Sequence, residues 1–311
     1  MILKELEYIS EIAKYENLST AARNLSVTQS ALSLSLANLE RELGIMLFAR
    51  EKNRLKITAE GLIYVETARE MLKIRNDLYK RLQSLKNRPQ LHIGLASAYS
   101  FQIFARVLAD NKKLYSTADI SVSEGRASPL LSQLERGILD LIIIAKDKLL
   151  DLPDCSVRLI RQEPFALYMS PQHPLTKDPR FAVPVGMRPP QVDFSIFKDE
   201  PFILSPKDTS DGAVALNILD EYISDYHIYC NINNTSSIME MVRRQIGLTI
   251  MPIPAGYHNS CNELYWCVPQ KHFYRYVQLI YHCTHALSPL EESLINDIQR
   301  AYDSEHMDEL Y

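Results

Sequence analysis

Apolar residues in the first stretch of the chain recur at Leu6, Ile9 and Ala13, the three-to-four spacing of a helix over residues 3–14 with one buried face. Ser19 is placed to cap a short helix over 20–25 whose Ala22 and Leu25 turn inward. Thr28 caps a third helix with Leu32, Leu36, Leu39 and Leu43 at i, i+4, i+7 and i+11, and Gly44 stops it. Residues 50–58 then give a charged tip followed by the short alternating strand Leu55-Lys56-Ile57. Two short helices joined by a tight turn, then a basic hairpin, predict a winged helix-turn-helix over 1–58.

Thr58 opens the next helical pattern, which runs to about residue 87 without proline and would be about 44 Å long. Along it Tyr64, Ala68, Met71, Arg75, Leu78, Leu82 and Leu85 alternate spacings of four and three, a heptad seam interrupted by Arg75. A lone helix of that length has no core of its own to cover, so residues 59–88 are expected to be a linker that holds two copies together. After Pro89 the texture changes to βαβ alternation, with strands expected at 91–95, 120–122, 141–144, 165–169, 201–204, 229–232 and 248–251. Helices are expected at 98–113 and 129–136, and a last one behind Ser288-Pro289 carries Leu290, Leu294, Ile295 and Ile298. The Pro-rich stretch 174–190 reads as a loop.

Charge sharpens this division. The chain of 311 residues has a net charge of −4, but residues 1–88 hold 15 Lys and Arg against 11 Asp and Glu, a net of +4, and the remainder carries −8. A basic N-terminal portion fits double-stranded DNA. No run of about 18 apolar residues offers a membrane span, and Lys4, Glu5 and Glu7 come too early for a secretory signal, so the expected location is the cytoplasm. The five cysteines are never spaced C-x-x-C and read as reduced, packed thiols, with Cys261 and Cys267 the pair nearest to a redox couple. His282-Cys283 with His285 is the nearest approach to a metal motif and falls short of one. No G-x-S-x-G, P-loop, G-x-G-x-x-G or H-E-x-x-H is present, so neither an enzyme nor a cofactor is expected.

Over some forty residues the N-terminal part resembles the LysR-type transcriptional regulators. The stretches that carry the resemblance are Leu18-Ser19-Thr20-Ala21-Ala22-Arg23-Asn24-Leu25, Val27-Thr28-Gln29-Ser30-Ala31-Leu32-Ser33, Leu39-Glu40-Arg41-Glu42-Leu43-Gly44, Leu47-Phe48-Ala49-Arg50 and Leu55-Lys56-Ile57-Thr58-Ala59-Glu60-Gly61. The similarity continues more weakly through Gly137-Ile138-Leu139-Asp140-Leu141, Glu200-Pro201-Phe202-Ile203-Leu204 and Gly247-Leu248-Thr249-Ile250-Met251-Pro252. The resemblance implies an α/β multidomain protein: a winged helix-turn-helix, a long dimerisation helix, and an effector domain over 89–311 with two lobes like those of periplasmic binding proteins. Lobe I would be about 91–162 plus 268–303, and lobe II about 163–267. It further implies a small-molecule effector between the lobes and a homodimer or homotetramer, with RNA polymerase a further candidate partner.

Within that frame Thr28, Gln29, Ser30, Ser33 and Leu34 face a DNA major groove, while Arg50, Lys52 and Arg54 of the wing meet phosphates. Leu34, Ala37 and Asn38 depart from residues that are often polar or basic in the family, which shifts affinity toward the wing. In the sensing domain ligands of parallel sheets lie beyond the carboxyl ends of strands, where helix N-termini favour anions. Ser97, Ser100, Phe101, Arg126, Ser128, Ser205 and Thr235 stand at such places and are the candidate effector residues. Taken singly, each serine reads more commonly as a plain helix cap, and it is their convergence that favours a site. The competing functions are a redox-responsive regulator of the same family and a two-lobed solute-binding protein; the second leaves the first 88 residues without a role.

Overall fold

The computed structural model describes residues 3–51, 54–84, 88–179, 189–253, 264–283, 285 and 287–304. Two compact units result: residues 1–90 with 132–139, and residues 91–131 with 140–311.

In the first unit α1 (Leu3–Tyr15), α2 (Leu18–Asn24) and α3 (Gln29–Leu43) precede a hairpin of β1 (Phe48–Glu51) and β2 (Arg54–Ile57), and α4 (Ala59–Ser84) follows. Ile9, Ile12, Ala21, Ala22, Leu32, Leu36, Leu39, Leu47, Phe48 and Leu55 form its core. Thr28 caps α3 by accepting from the N–H of Ala31, and Gly44 closes it at φ 71°, a backbone that glycine adopts without strain. Glu40 accepts from the N–H groups of Leu47 and Phe48, tying α3 to the wing.

Three expectations need correction here. The cap of α2 is Asn17 rather than Ser19: Glu16 turns the chain at φ 48°, so the Asn17 carboxamide reaches the N–H of Thr20. Leu43 lies outside the core, 40 % exposed at the last turn of α3. The seam of α4 is also divided. Ala68 is buried with Leu6 and Leu72, and Arg75 pairs with Glu7 of α1 at 2.9 Å, so these positions are used within the chain. Met71, Ile74, Leu78 and Leu82, at spacings of three, four and four, remain exposed, and Leu85 lies outside the described residues.

Gly61 has a stronger reason than tolerance in a first turn. A Cβ there would stand 2.0 Å from the carbonyl oxygen of Leu47, so α4 approaches the wing closely only because this position has no side chain.

The chain continues through β3 (Gln90–Leu95), α5 (Ala98–Asp110), α6 (Lys112–Tyr115), β4 (Asp119–Glu124), α7 (Ala127–Glu135), β5 (Leu141–Lys146) and β6 (Cys155–Met169). It goes on with β7 (Gln191–Val192), β8 (Pro201–Leu204), α8 (Ser210–Tyr222), β9 (His227–Asn231), α9 (Thr235–Arg243), β10 (Thr249–Pro252), β11 (Tyr265–Pro269), β12 (Tyr274–His282) and α10 (Pro289–Asp303). The sheet runs β4-β3-β5-β12-β6-β11-β7, with β10 also on β6. β3 and β5 are parallel, whereas β12 is antiparallel to both β5 and β6.

The fifteen-residue strand β6 joins two lobes. Its first part, Cys155 to Pro164, pairs with β12, and its last residues, Phe165 to Met169, pair with β10 and β11. Separate cores lie on either side: Leu91, Ile93, Leu95, Phe104, Ile143, Leu279 and Ile298 in one, and Phe165, Leu167, Phe194, Phe202, Ile218 and Ile250 in the other. Arg275 of β12 bonds Glu163 of β6 through Nε at 2.6 Å and Asp211 of α8 through Nη1 at 2.5 Å. This cluster lies where the strands cross between lobes. No described helix is long and apolar enough to cross a membrane.

Candidate effector cleft and nucleic-acid interface

The N-terminal end of α3 sets out the residues expected to read DNA. Gln29, Ser30 and Leu34 are exposed and Ser33 is half-buried, whereas Leu32, Leu36 and Leu39 hold the opposite face in the core. Ser19 donates to Gln29 Oε1 at 2.9 Å, so α2 positions the amide at the start of α3. Thr28 is occupied as the cap and lies 3.1 Å from the hydroxyl of Ser30. Leu34 is 61 % exposed, an apolar surface suited to a thymine methyl rather than to a phosphate. The backbones of Arg50 and Arg54 belong to the paired wing strands, and Lys52 lies outside the described residues.

In the second unit a cleft of about 670 Å³ opens between the lobes. Four helices begin on its wall. Ser97 caps α5, Arg126 and Ser128 flank the start of α7, Thr209 caps α8, and Asn234 caps α9. Each helix start presents N–H groups that lack intrahelical partners and carries partial positive charge, so their convergence favours an anion. Ser97, Arg126, Ser128, Ser205 and Thr235 therefore share one cavity.

Ser100 and Phe101 are not among its lining residues. The Ser100 hydroxyl is buried, accepting from Tyr302 Oη at 3.0 Å and lying 2.7 Å from Ser97 Oγ, while Phe101 is 44 % exposed. Both follow from helical geometry: on α5 the positions three and four beyond the cap turn away from the cleft edge.

The charged lining was only partly visible in the sequence. Arg126 pairs with Asp208 from the opposite lobe. Lys146, at the carboxyl end of β5, has no ion-pair or hydrogen-bond partner among the described residues and is the cation best placed to meet a ligand. Arg275 also lines the cleft; burial opposes its charge, but Asp211 and Glu163 hold it protonated. Lys146 could have been found by extending the rule about carboxyl ends of strands to 141–146. The place of Arg275 depends on β12, which the sequence pattern did not reveal.

Burial pushes the thiol of Cys267 well above the usual range, which disfavours a reactive thiolate. Its proposed partner Cys261 lies outside the described residues.

Two family models match the chain. Residues 3–62 match "Bacterial regulatory helix-turn-helix protein, lysR family", and residues 86–303 match "LysR substrate binding domain". Among similar proteins, the HTH-type transcriptional regulator YybE of Bacillus subtilis is 24 % identical over 265 residues, covering 83 % of this chain and 84 % of that one. A hydrogen peroxide-inducible genes activator of Pectobacterium carotovorum is 28 % identical over 190 residues, 59 % of this chain and 61 % of its own length. Full-length OxyR of Pseudomonas aeruginosa, carrying a point substitution, superposes with a TM-score of 0.59 at 21 % identity, over 98 % of this chain and 95 % of that one. Full-length BenM gives 0.56 at 20 %, over 98 % of each chain. At these identities the structural likeness establishes the fold.

Proposed function

The chain belongs to the LysR family of DNA-binding transcription regulators, and from that premise we propose that its effector is a small organic anion held in the cleft by Lys146, Arg126 and the hydroxyls of Ser97, Ser128, Ser205 and Thr235. The observation that carries this reading is the meeting, in one cavity, of four helix N-termini around Lys146, which has no side-chain partner among the described residues. Asp208 neutralises Arg126 across the cleft, and an incoming carboxylate would compete for the same guanidinium. Ligand between the lobes favours one lobe arrangement, and it shifts DNA binding only by its differential affinity for the two states.

In the same reading Gln29, Ser30, Ser33 and Leu34 contact base edges, Arg50, Lys52 and Arg54 contact phosphates, and the exposed stripe of α4 joins two copies in the cytoplasm.

A panel of small mono- and dicarboxylates, phosphate esters and neutral analogues, screened by thermal shift and followed by calorimetry, tests the cleft. At least one anion should raise the melting temperature of the wild type. Lys146→Ala should weaken it about ten- to a hundredfold, the loss of one charge-assisted hydrogen bond, and Ser128→Ala less. DNA affinity without ligand should not change. Selective binding of neutral compounds, with Lys146→Ala indistinguishable from wild type, would remove the anion reading.

A further inference from the structure

At the opposite end of β5 from Lys146, one imidazole and two carboxylates come together. Ligand atoms of Asp140, His285 and Glu291 all lie within 4.8 Å of one another. Asp140 immediately precedes β5, His285 lies in the connection from β12 to α10, and Glu291 is in the first turn of α10. The sequence had set His285 beside His282 and Cys283; the fold instead turns it toward the two acids, and Cys283 is exposed.

Both carboxylates are fixed in place. The side chains of Asp140 and Glu291 are only 4 % and 8 % exposed. Asp140 Oδ2 accepts from the backbone N–H of His92 at 2.7 Å and lies 3.3 Å from that residue's ring Nδ1. Glu291 uses Oε2 to accept from the backbone N–H and hydroxyl of Ser288, at 2.7 and 2.8 Å. Its other oxygen, Oε1, stands 2.8 Å from His285 Nε2. Two buried acids held this close require positive charge between them.

We propose that Asp140, His285 and Glu291 bind one divalent metal ion, with zinc the first candidate. Imidazole and carboxylate donors suit zinc, and tetrahedral coordination at 2.0–2.2 Å would set the ligand atoms about 3.4 Å apart, which opens the 2.8 Å His285–Glu291 pair slightly and lies within the 4.8 Å span of the present cluster. The metal takes the place of the proton between His285 and Glu291, and that proton is released to solvent. His92 and Ser288 orient the two acids from outside the coordination sphere. With three protein ligands, the fourth position falls to water. The ion fastens the start of α10 to the start of β5, at the opposite end of that strand from Lys146 and the effector cleft.

Chelator-treated full-length protein is titrated with Co²⁺, read by visible absorption, and with Zn²⁺, read by calorimetry. One ion per chain is expected, with affinity falling as pH drops below the usual imidazole range of about 6.5. His285→Ala and Asp140→Asn should each weaken binding more than about tenfold. His282→Ala and Cys283→Ser should leave it unchanged. Zn²⁺ should raise the melting temperature of the wild type but not of His285→Ala. Because His285 is partly exposed and outside any helix or strand, its replacement decides the matter even where Asp140→Asn fails to fold. A wild type without a stoichiometric ion, or binding that survives His285→Ala, would overturn the proposal and leave an ordinary histidine–carboxylate cluster.

Discussion

Placing aspartate at both Leu78 and Leu82 should convert the protein to monomers in sedimentation and lower its affinity for a duplex with two half-sites at least about a hundredfold, the advantage that joining two binding modules confers. These residues are 53 % and 50 % exposed and continue the stripe of Met71 and Ile74 along α4. Two such stripes packed together would remove leucine and isoleucine side chains from water at roughly 25 cal/mol per Å². Four carboxylates in the shared seam could not be buried without compensation. Binding to a single half-site should change little, because α3 and the wing have their own core around Leu32, Leu36 and Phe48. An intact oligomer in the double variant would mean that another surface holds the copies together.

Arg275→Gln should lower the stability of the sensing domain by about 3–5 kcal/mol in chemical denaturation. The guanidinium pairs with both Glu163 and Asp211, and Glu163 has no exposed surface. Without the arginine a carboxylate is left in the interior with its charge uncompensated. Replacing Glu163 by Leu and Arg275 by Met together should recover only the part of the loss that comes from Glu163, because Asp211, 18 % exposed, still loses its partner. A loss under 1 kcal/mol in the single variant would show that water reaches Glu163 and that the lobe crossing does not depend on this pair.

Elements governed by local chemistry were legible in the sequence. Thr28 and Gly44 bound α3 as read, and Ser288-Pro289 opens α10, where Glu291 completes a reciprocal cap. The mixed α/β class with its helix-turn-helix was legible too, because the leucine stripe of α3 and the apolar run of β5 report burial directly. What escaped depended on distant partners. Residues 155–164 lie before the expected strand at 165–169 and carry Arg158, Arg161 and Glu163, which the fold partners with Tyr281, the carbonyl of Tyr302 and Arg275. β12 was hidden for the same reason. Its buried Gln278 accepts from the N–H of Leu150 and donates to the carbonyl of Lys148, neither of which is near in sequence. The α4 seam misled because a heptad pattern cannot say which of its positions α1 will cover.

At the cleft, residues at helix starts could be found from the sequence, since a hydroxyl after a strand is a local signal. Ser97, Ser128, Ser205 and Thr235 were reached that way. Lys146 was missed because the expected strand stopped at 144, short of its true carboxyl end, and Arg275 because an arginine within a strand has no distinguishing local pattern.

The most direct test of the account is selection of binding sites from a random duplex library by the wild-type protein and by Gln29→Ala. The expected result is enrichment of a site with two related half-sites, and in the variant a relaxed preference at one base pair in each half, about 1–3 kcal/mol of lost discrimination. No enrichment above nonspecific binding, or an enriched site identical for both proteins, would contradict the assignment of α3 as the element that reads DNA.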